Sequence, residues 1–424
     1  MGPRDLTMSD AAKARSLQHS LRGLDWLNFL LAGALGGFGP LIAVYLAGRH
    51  WTQGEIGLIF TASGVAGLLS QVPGGELLDR VRSKRFLVAL GVAMIAMSAG
   101  ILTLWPSFVL VLTAGVVQGT TGGFLGSAVS AISLGLVGHA ALPERLGRNQ
   151  RFAATGGLTA TGLMGALGYF FSNQMIFVAA ATLAMATLIA LSQIRAADIH
   201  FARACGAPTG DHHARPTRTS RVTVCSSYPL LIFATCIALF QFANASLLPL
   251  IGEALGQDRR SPLIVSALIV VPQVVVAVLA PWVGRRADSW GRRPLLLIGF
   301  SALPIRAVCF ALTTDPAFLV GIQLLDGITG AAVGVLTPLV IADISRGTGR
   351  FNLAQGFVGT FSGIEASLSA TVSGLVAQSF GSSIGFVAMA GVAMTALAAL
   401  WALLPETKPV SSPPLVGARA PNGV

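Results

Sequence analysis

Four ionisable side chains stand in stretches that are otherwise apolar: Asp25, Arg306, Asp326 and Glu365. A charge at the centre of a bilayer costs about 2.5–3.5 kcal/mol on insertion scales, so a chain that keeps one there has a use for it. The chemistry open to such a set is proton transfer and charge pairing. Desolvation favours the neutral form of a buried carboxylate and a neighbouring arginine favours the charged form, so a group held between the two can take up and release a proton. Arg306 lies about 8 residues before one turn and Asp326 about 11 after it, so both sit roughly 12–17 Å from the same surface at 1.5 Å per residue. Antiparallel neighbours can pair at that depth. Glu365 falls about 14 residues into its stretch, near the middle by the same rise. The expectation is that Asp326, modulated by Arg306, or else Glu365, carries a coupling proton, with Asp25 as a further buried charge. A static Arg306–Asp326 pair that only fixes helix packing is the competing reading.

The elements that hold these residues belong to a chain built for a solvent other than water. Of its 424 residues 53% are hydrophobic and only 11% are charged, with 50 glycines and a mean hydropathy of +0.73. A soluble domain carries about 25% charged residues. Apolar stretches recur at about 24–47, 55–78, 86–104, 107–129, 152–171, 174–194, 228–251, 261–283, 294–312, 316–341, 352–377 and 382–404. Each is long enough to cross a hydrocarbon core of about 30 Å. All twelve are expected to be helices, because only helices and closed barrels satisfy backbone groups in lipid, and barrel strands would alternate in polarity.

The formal charge of +11 is explained by where it sits. All of the 28 Lys and Arg except Arg49, Arg259, Arg260 and Arg306 fall in the tails or in loops on one side of the twelve crossings. Basic short loops favour the cytoplasmic side, which places both termini there. Topology and anionic lipid headgroups account for the charge, and nucleic acid is not an expected partner. The four cysteines have no metal-ligand spacing and the six histidines lie in tails or loops, so neither a metal site nor a disulfide is expected. Residues 1–22 and 405–424 are read as polar cytoplasmic tails, the latter disordered, and 195–224 as a cytoplasmic linker between a bundle at 23–194 and another at 225–404.

The two bundles repeat one plan. Gly75 and Asp79 in QVPGGELLDRVRSKR match Gly284 and Asp288 in LAPWVGRRADSWGRR, PSFVL at 106–110 resembles PAFLV at 316–320, and QGTTGGFLG at 118–126 resembles DGITGAAVG at 326–334. Four landmarks in one order, the last being GRNQRF at 147–152 against GRF at 349–351, argue for duplication. Six spans, a basic linker and six more spans resemble the major facilitator superfamily of secondary transporters, as does the loop after the second span of each half. That family's G-x-x-x-D-[RK]-x-G-[RK]-[RK] pattern is met by Gly284, Asp288, Gly291, Arg292 and Arg293, with Ser289 in place of the basic residue. The first copy keeps Gly75, Asp79 and Arg80 but lacks the second glycine. The resemblance implies an all-α membrane protein of twelve helices in two pseudo-symmetric six-helix bundles. It also implies that the two loops stabilise the outward-facing state, a role carried to Asp79, Arg80, Asp288, Arg292 and Arg293. The drug-antiporter pattern of the fifth span is not met by GLTATGLMGALG at 157–168.

If the resemblance holds, spans one, four, seven and ten line a central cavity. Asp326 and its counterpart Gln118 would face it, Asn28, Gln241 and Asn244 would add polar groups, and Phe29, Phe240 and Phe242 would offer apolar walls. Glycine pairs such as Gly115–Gly119, Gly122–Gly126, Gly330–Gly334 and Gly359–Gly363 let helices approach closely. No GxxxxGK[ST] signature is present, so an ion gradient or the substrate's own gradient must drive the work. The expected function is alternating-access transport in a bacterial inner membrane, not enzymatic catalysis, with proton-coupled export of a small organic molecule as its leading form. Symport or facilitated uptake of a metabolite is the alternative, and a non-transporting sensor on the same fold is the other class. No cofactor is expected, protons and a small molecule are the expected partners beside the bilayer, and a monomer is expected.

Overall fold

The computed structural model describes residues 3–36, 42, 45–46, 48–49, 51–104, 107–207, 219–255, 261–313 and 315–408, with the side chains of 3–12, 173, 252–255, 261–266, 365–367 and 370 outside that description. Backbone amides in hydrocarbon must be paired within their own segment, and the described chain is helical almost throughout. The N-terminal half comprises α1 (Pro3–Gly36), α2 (Gln53–Arg80), α3 (Lys84–Leu104), α4 (Phe108–Phe170) and α5 (Asn173–Ser192). Two short linker helices follow, α6 (Phe201–Ala204) and α7 (Arg221–Cys225). The C-terminal half comprises α8 (Tyr228–Leu255), α9 (Ser261–Trp290), α10 (Arg292–Leu312), α11 (Pro316–Ile344), α12 (Phe351–Phe380) and α13 (Ser382–Leu403). The 63-residue α4 turns back on itself at Gly138, where φ 70 and ψ 178 are open to glycine without a Cβ penalty. Divided there, α4 gives two legs, and six long legs stand on each side of the linker. Among the described residues nine helices are long and apolar enough to cross a membrane by length and composition, α4 counted once.

Several elements run past their apolar stretches. Residues 13–22, expected as tail, continue α1, and Ser16 and Ser20 on that extension donate to the Asp198 carboxylate at 3.0 and 2.6 Å. The 130–151 segment, expected as a loop, is helix on both sides of Gly138, because Ile132, Leu134, Leu136, Leu142 and Leu146 give it a buried face. At the other end Glu406 accepts from the amides of Arg292 and Arg293 at 2.9 and 3.1 Å, which caps the start of α10. Residues 409–424 of the expected tail lie outside the described residues. Replacing Glu406 by Ala is expected to cost about 1 kcal/mol, as loss of a helix N-cap does, read as a lower unfolding midpoint in detergent.

Large apolar side chains such as Leu69, Tyr169, Phe170, Leu312, Phe318 and Trp401 are exposed, as a lipid-facing surface requires. The halves join through two antiparallel helix pairs, α2 with α12 and the second leg of α4 with α9. At the basic end these pairs touch backbone to backbone. A Cβ on Gly75 would overlap the Asn352 carbonyl oxygen, one on Gly356 the Gln71 carbonyl, and one on Gly284 the Pro143 carbonyl. A Cβ on Gly147 would lie 2.5 Å from the Ala280 carbonyl oxygen. Toward the opposite end of the α2–α12 pair nothing lies within 4 Å of a Cβ on Gly57 of α2 or on Gly374 of α12. Gly157, Gly162 and Gly165 on α4 are equally open. The halves therefore form a V, sealed at the basic end and splayed at the other.

Candidate functional site

Close packing of α10 on α11 sets the central charges. Gly299 faces Ala332, where a Cβ would approach to 2.5 Å, and the Thr329 hydroxyl donates to the Gly299 carbonyl at 3.0 Å. Two turns farther from the basic end this antiparallel register brings Arg306 to Asp326, and the two form an ion pair. Arg306 Nη2 also donates to Asn244 Oδ1 at 2.7 Å, so α8, α10 and α11 meet at one guanidinium. The Arg306 side chain is 4% exposed and that of Asp326 is 27% exposed. Arg306 Nε is buried without a hydrogen-bond partner among the described residues. Asp326, Gly330 and Gly334 follow one ridge of α11, and at its basic end a Cβ on Gly334 would lie 2.7 Å from Gln150 of the other half. The ridge thus reaches the seam at Gly334, while Gly330 packs on Val276 of its own half, and Asp326 lies about two turns beyond that seam contact, away from the basic end.

Other expected members take different places. Gln118 and Gln241 are half-buried. Asn28 is buried and donates to the Leu24 carbonyl of its own helix at 2.7 Å. Phe240 stacks on Phe300 at 4.5 Å between ring centres, in the core of the C-terminal half and not on a cavity wall. Phe29 lends its backbone to the contact with Gly156. Gly119, Gly359 and Gly363 serve close approach as expected, whereas Gly122 and Gly126 have open space. Asp25 is buried between Arg145 and Arg148, at 2.5 and 2.7 Å, so it ties α1 to α4 within one half. Asn149 extends that network, accepting from Arg145 at 2.7 Å and donating to Ser133 at 2.7 Å. Glu365 lies on α12, its side chain outside the described residues.

The two motif loops behave differently. Asp79, fully buried, receives three hydrogen bonds across the seam at the first turn of α12, from Asn352 N at 3.3 Å, Asn352 Nδ2 at 2.8 Å and Leu353 N at 2.9 Å. A carboxylate at a helix N-terminus meets unsatisfied N–H groups and the positive end of the dipole. Gly75 permits this approach, as argued above. Arg80 instead pairs with Glu76 of its own helix at 2.6 Å. In the second loop Asp288 pairs with Arg292 at 2.9 Å and remains 56% exposed, while the other face of Arg292 meets the buried Asp343 at 2.9 Å. Arg293 donates to the Trp401 carbonyl. Asp288, Arg292 and Arg293 thus make their contacts within their own half. Four residues outside the expected site set complete the seal. Glu76 forms ion pairs with Arg350 of the other half, at 3.6 Å, and with Arg221 of the linker, and Asn352 supplies the cap that Asp79 needs. Glu76 stood three residues before Asp79, at the end of an apolar stretch, which was the one signal for it.

The family model described as Major Facilitator Superfamily matches residues 24–219 and 230–422. The chain belongs to the major facilitator superfamily. An uncharacterized MFS-type transporter of Mycobacterium tuberculosis is 36% identical over 391 residues, 91% of this chain and 93% of its own length. The class B tetracycline resistance protein of Escherichia coli is 32% identical over 83 residues, 20% of each chain. Among solved structures, the proton:xylose symporter XylE with bound 6-bromo-6-deoxy-D-glucose aligns with a TM-score of 0.69 at 15% identity, covering 94% of this chain and 97% of that one. This superfamily member is a multi-pass membrane transporter built as two six-helix halves, and the V described above is its seam.

Proposed function

We propose that this transporter exports a small organic molecule from the cytoplasm in exchange for protons, and that the structure represents its outward-facing state in a bacterial inner membrane. The basic end is then cytoplasmic, following the charge bias of the loops. The observation that carries the reading is Asp326, a partly exposed carboxylate paired with a buried arginine on that ridge, away from the basic end. A proton arriving from the open side neutralises Asp326 and removes one partner of Arg306. When the seam rocks and the inner end opens, the protonated group faces the cytoplasm, releases its proton and closes the pair again. The substrate leaves by the opposite stroke. Resemblance to a tetracycline resistance protein over 83 residues supports export as the direction.

The test is flux in proteoliposomes with an imposed pH step, across a panel of antibiotics, dyes and organic acids. A transported compound is expected to move against its gradient in the native chain. Replacing Asp326 by Asn keeps an oxygen for Arg306 but takes no proton, and is expected to reduce pH-driven flux at least ~10-fold while substrate exchange without a pH step continues. Intact coupling in that variant removes Asp326 from the role.

A further inference from the structure

The segment expected as a cytoplasmic linker, 195–224, is partly buried. Residues 199–207 lie packed between the two halves at the basic end, with Ala204 and Cys205 fully buried and Ala207 nearly so. On the N-terminal side His200 N donates to the Gly135 carbonyl at 3.1 Å, and Ile199 and Ala204 fill the room beside Gly135, where a Cβ would lie 2.8 and 3.1 Å from them. On the C-terminal side three successive carbonyls face the start of α12 and the turn before it. Ala204 O accepts from Asn352 Nδ2 at 3.1 Å, Cys205 O from Phe351 N at 3.1 Å, and Gly206 O from Gly347 N at 2.7 Å. Gly206 makes this path possible at φ +72, a conformation that favours glycine.

The repeat explains why the linker sits there. Arg292 and Lys84 are each the first residue of their helix, α10 and α3, and each is buried, at 3% and 1% exposure. In the C-terminal half Arg292 is met by Asp343. Shifted by the repeat distance that relates Arg292 to Lys84, Asp343 falls on Gly135, which has no side chain to offer. The linker occupies that room instead. Lys84 Nζ lies 4.7 Å over the Phe201 ring and 3.4 Å from Cys205 Sγ, and Cys205 Sγ lies 3.5 Å from the Asp79 carbonyl. The amide of Asn352 is shared between Asp79 Oδ1 and Ala204 O.

We infer that residues 199–207 are a third member of the inner gate, a strap that binds both halves only while the basic end is sealed. Opening that end separates Asp79 and Lys84 from Phe351 and Asn352, and the strap cannot keep hold of both. This inference rests on the alternating-access reading, and its test separates the two.

Cys205 reports the strap. In a chain whose Cys225, Cys236 and Cys309 are alanine, the rate of its modification by N-ethylmaleimide is measured in proteoliposomes at rest and during pH-driven flux. A parallel chain keeping only the buried Cys236 reports general loosening. The expected result is slow labelling at rest and at least ~10-fold faster labelling of Cys205 during flux, with Cys236 unchanged. Flux with Cys205 labelling as slow as at rest overturns the strap while leaving the transport reading intact. Where no compound of the panel is transported, the transport reading fails, and a second arm decides the strap. Gly75→Val opens the basic end by steric overlap, and its opening is confirmed by the distance between spin labels on Arg82→Cys and Arg346→Cys in a separate chain without native cysteines. Faster Cys205 labelling in the Gly75→Val chain supports the strap, and an unchanged rate overturns it.

Discussion

A valine at Gly75 is expected to prise open the basic end of this transporter. The added Cβ overlaps the Asn352 carbonyl oxygen, a backbone atom that no rotamer change can move aside. Overpacking of this kind costs about 1–3 kcal/mol when the surroundings yield. Here yielding means withdrawing α12, which takes Asn352 and Leu353 away from the buried Asp79 carboxylate. Hydrogen bonds to a charged group are each worth about 1.5–3 kcal/mol. The sealed state alone bears these penalties, since nothing in an open inner end presses on Gly75. A bias of roughly 3 kcal/mol moves a two-state equilibrium about a hundredfold, enough to empty the population sealed at the basic end. The spin-label distance between positions 82 and 346, both exposed at the basic end, is expected to lengthen and to lose its short component. Gly57→Val is the control, because open space surrounds Gly57 and the same substitution there should leave the distance unchanged. A short distance retained in the Gly75→Val chain would mean that the seal does not depend on backbone contact between α2 and α12.

The repeat, the glycine and the aspartate of that seal were legible in the sequence, and its other side was not. A motif marks Asp79 because a carboxylate at a helix end has few reasons to be there, but Asn352 is an ordinary polar residue until α12 is seen to begin beside it. Duplication also misleads where the copies have diverged. Asp288 matches Asp79 in the motif, yet it stays exposed beside Arg292, whose buried face is taken by Asp343. Apolar windows find the part of a helix that lies in lipid and stop there. They miss α1 before residue 23 and both legs of α4 near Gly138, where polar and apolar residues alternate around a helix that is half packed and half wet. Phe240 was assigned to a cavity wall because the sequence gives no rotation for α8, and only the ring of Phe300 fixes it inward. The packed part of the linker was not legible for a compositional reason. Its Arg, Thr, His and Pro residues signal solvent, but the stretch that packs, Phe201 to Ala207, is short, small and apolar within it.

The central pair should respond asymmetrically to mutation. Arg306 is buried, so removing its carboxylate partner by Asp326→Leu leaves a buried guanidinium with Asn244 and the Phe310 ring but no counter-charge from Asp326. Breaking a buried ion pair from one side costs about 3–5 kcal/mol. The reverse change, Arg306→Met, leaves Asp326 with 27% of its side chain exposed, and a carboxylate in reach of water can be neutralised by a proton. That variant is expected to lose about 1 kcal/mol. Removing both groups together replaces the pair by apolar packing, which at other buried pairs is neutral or stabilising, so the double variant should return to within about 1 kcal/mol of the native chain. Reversible unfolding of all four proteins in mixed micelles gives the coupling energy directly. Equal losses from both single changes would show that Asp326 is as dry as Arg306 and closed to a proton from the open side. A recovered double variant that also fails to couple flux to a pH step would separate the two roles of the pair, since its fold would be intact and only the proton site gone.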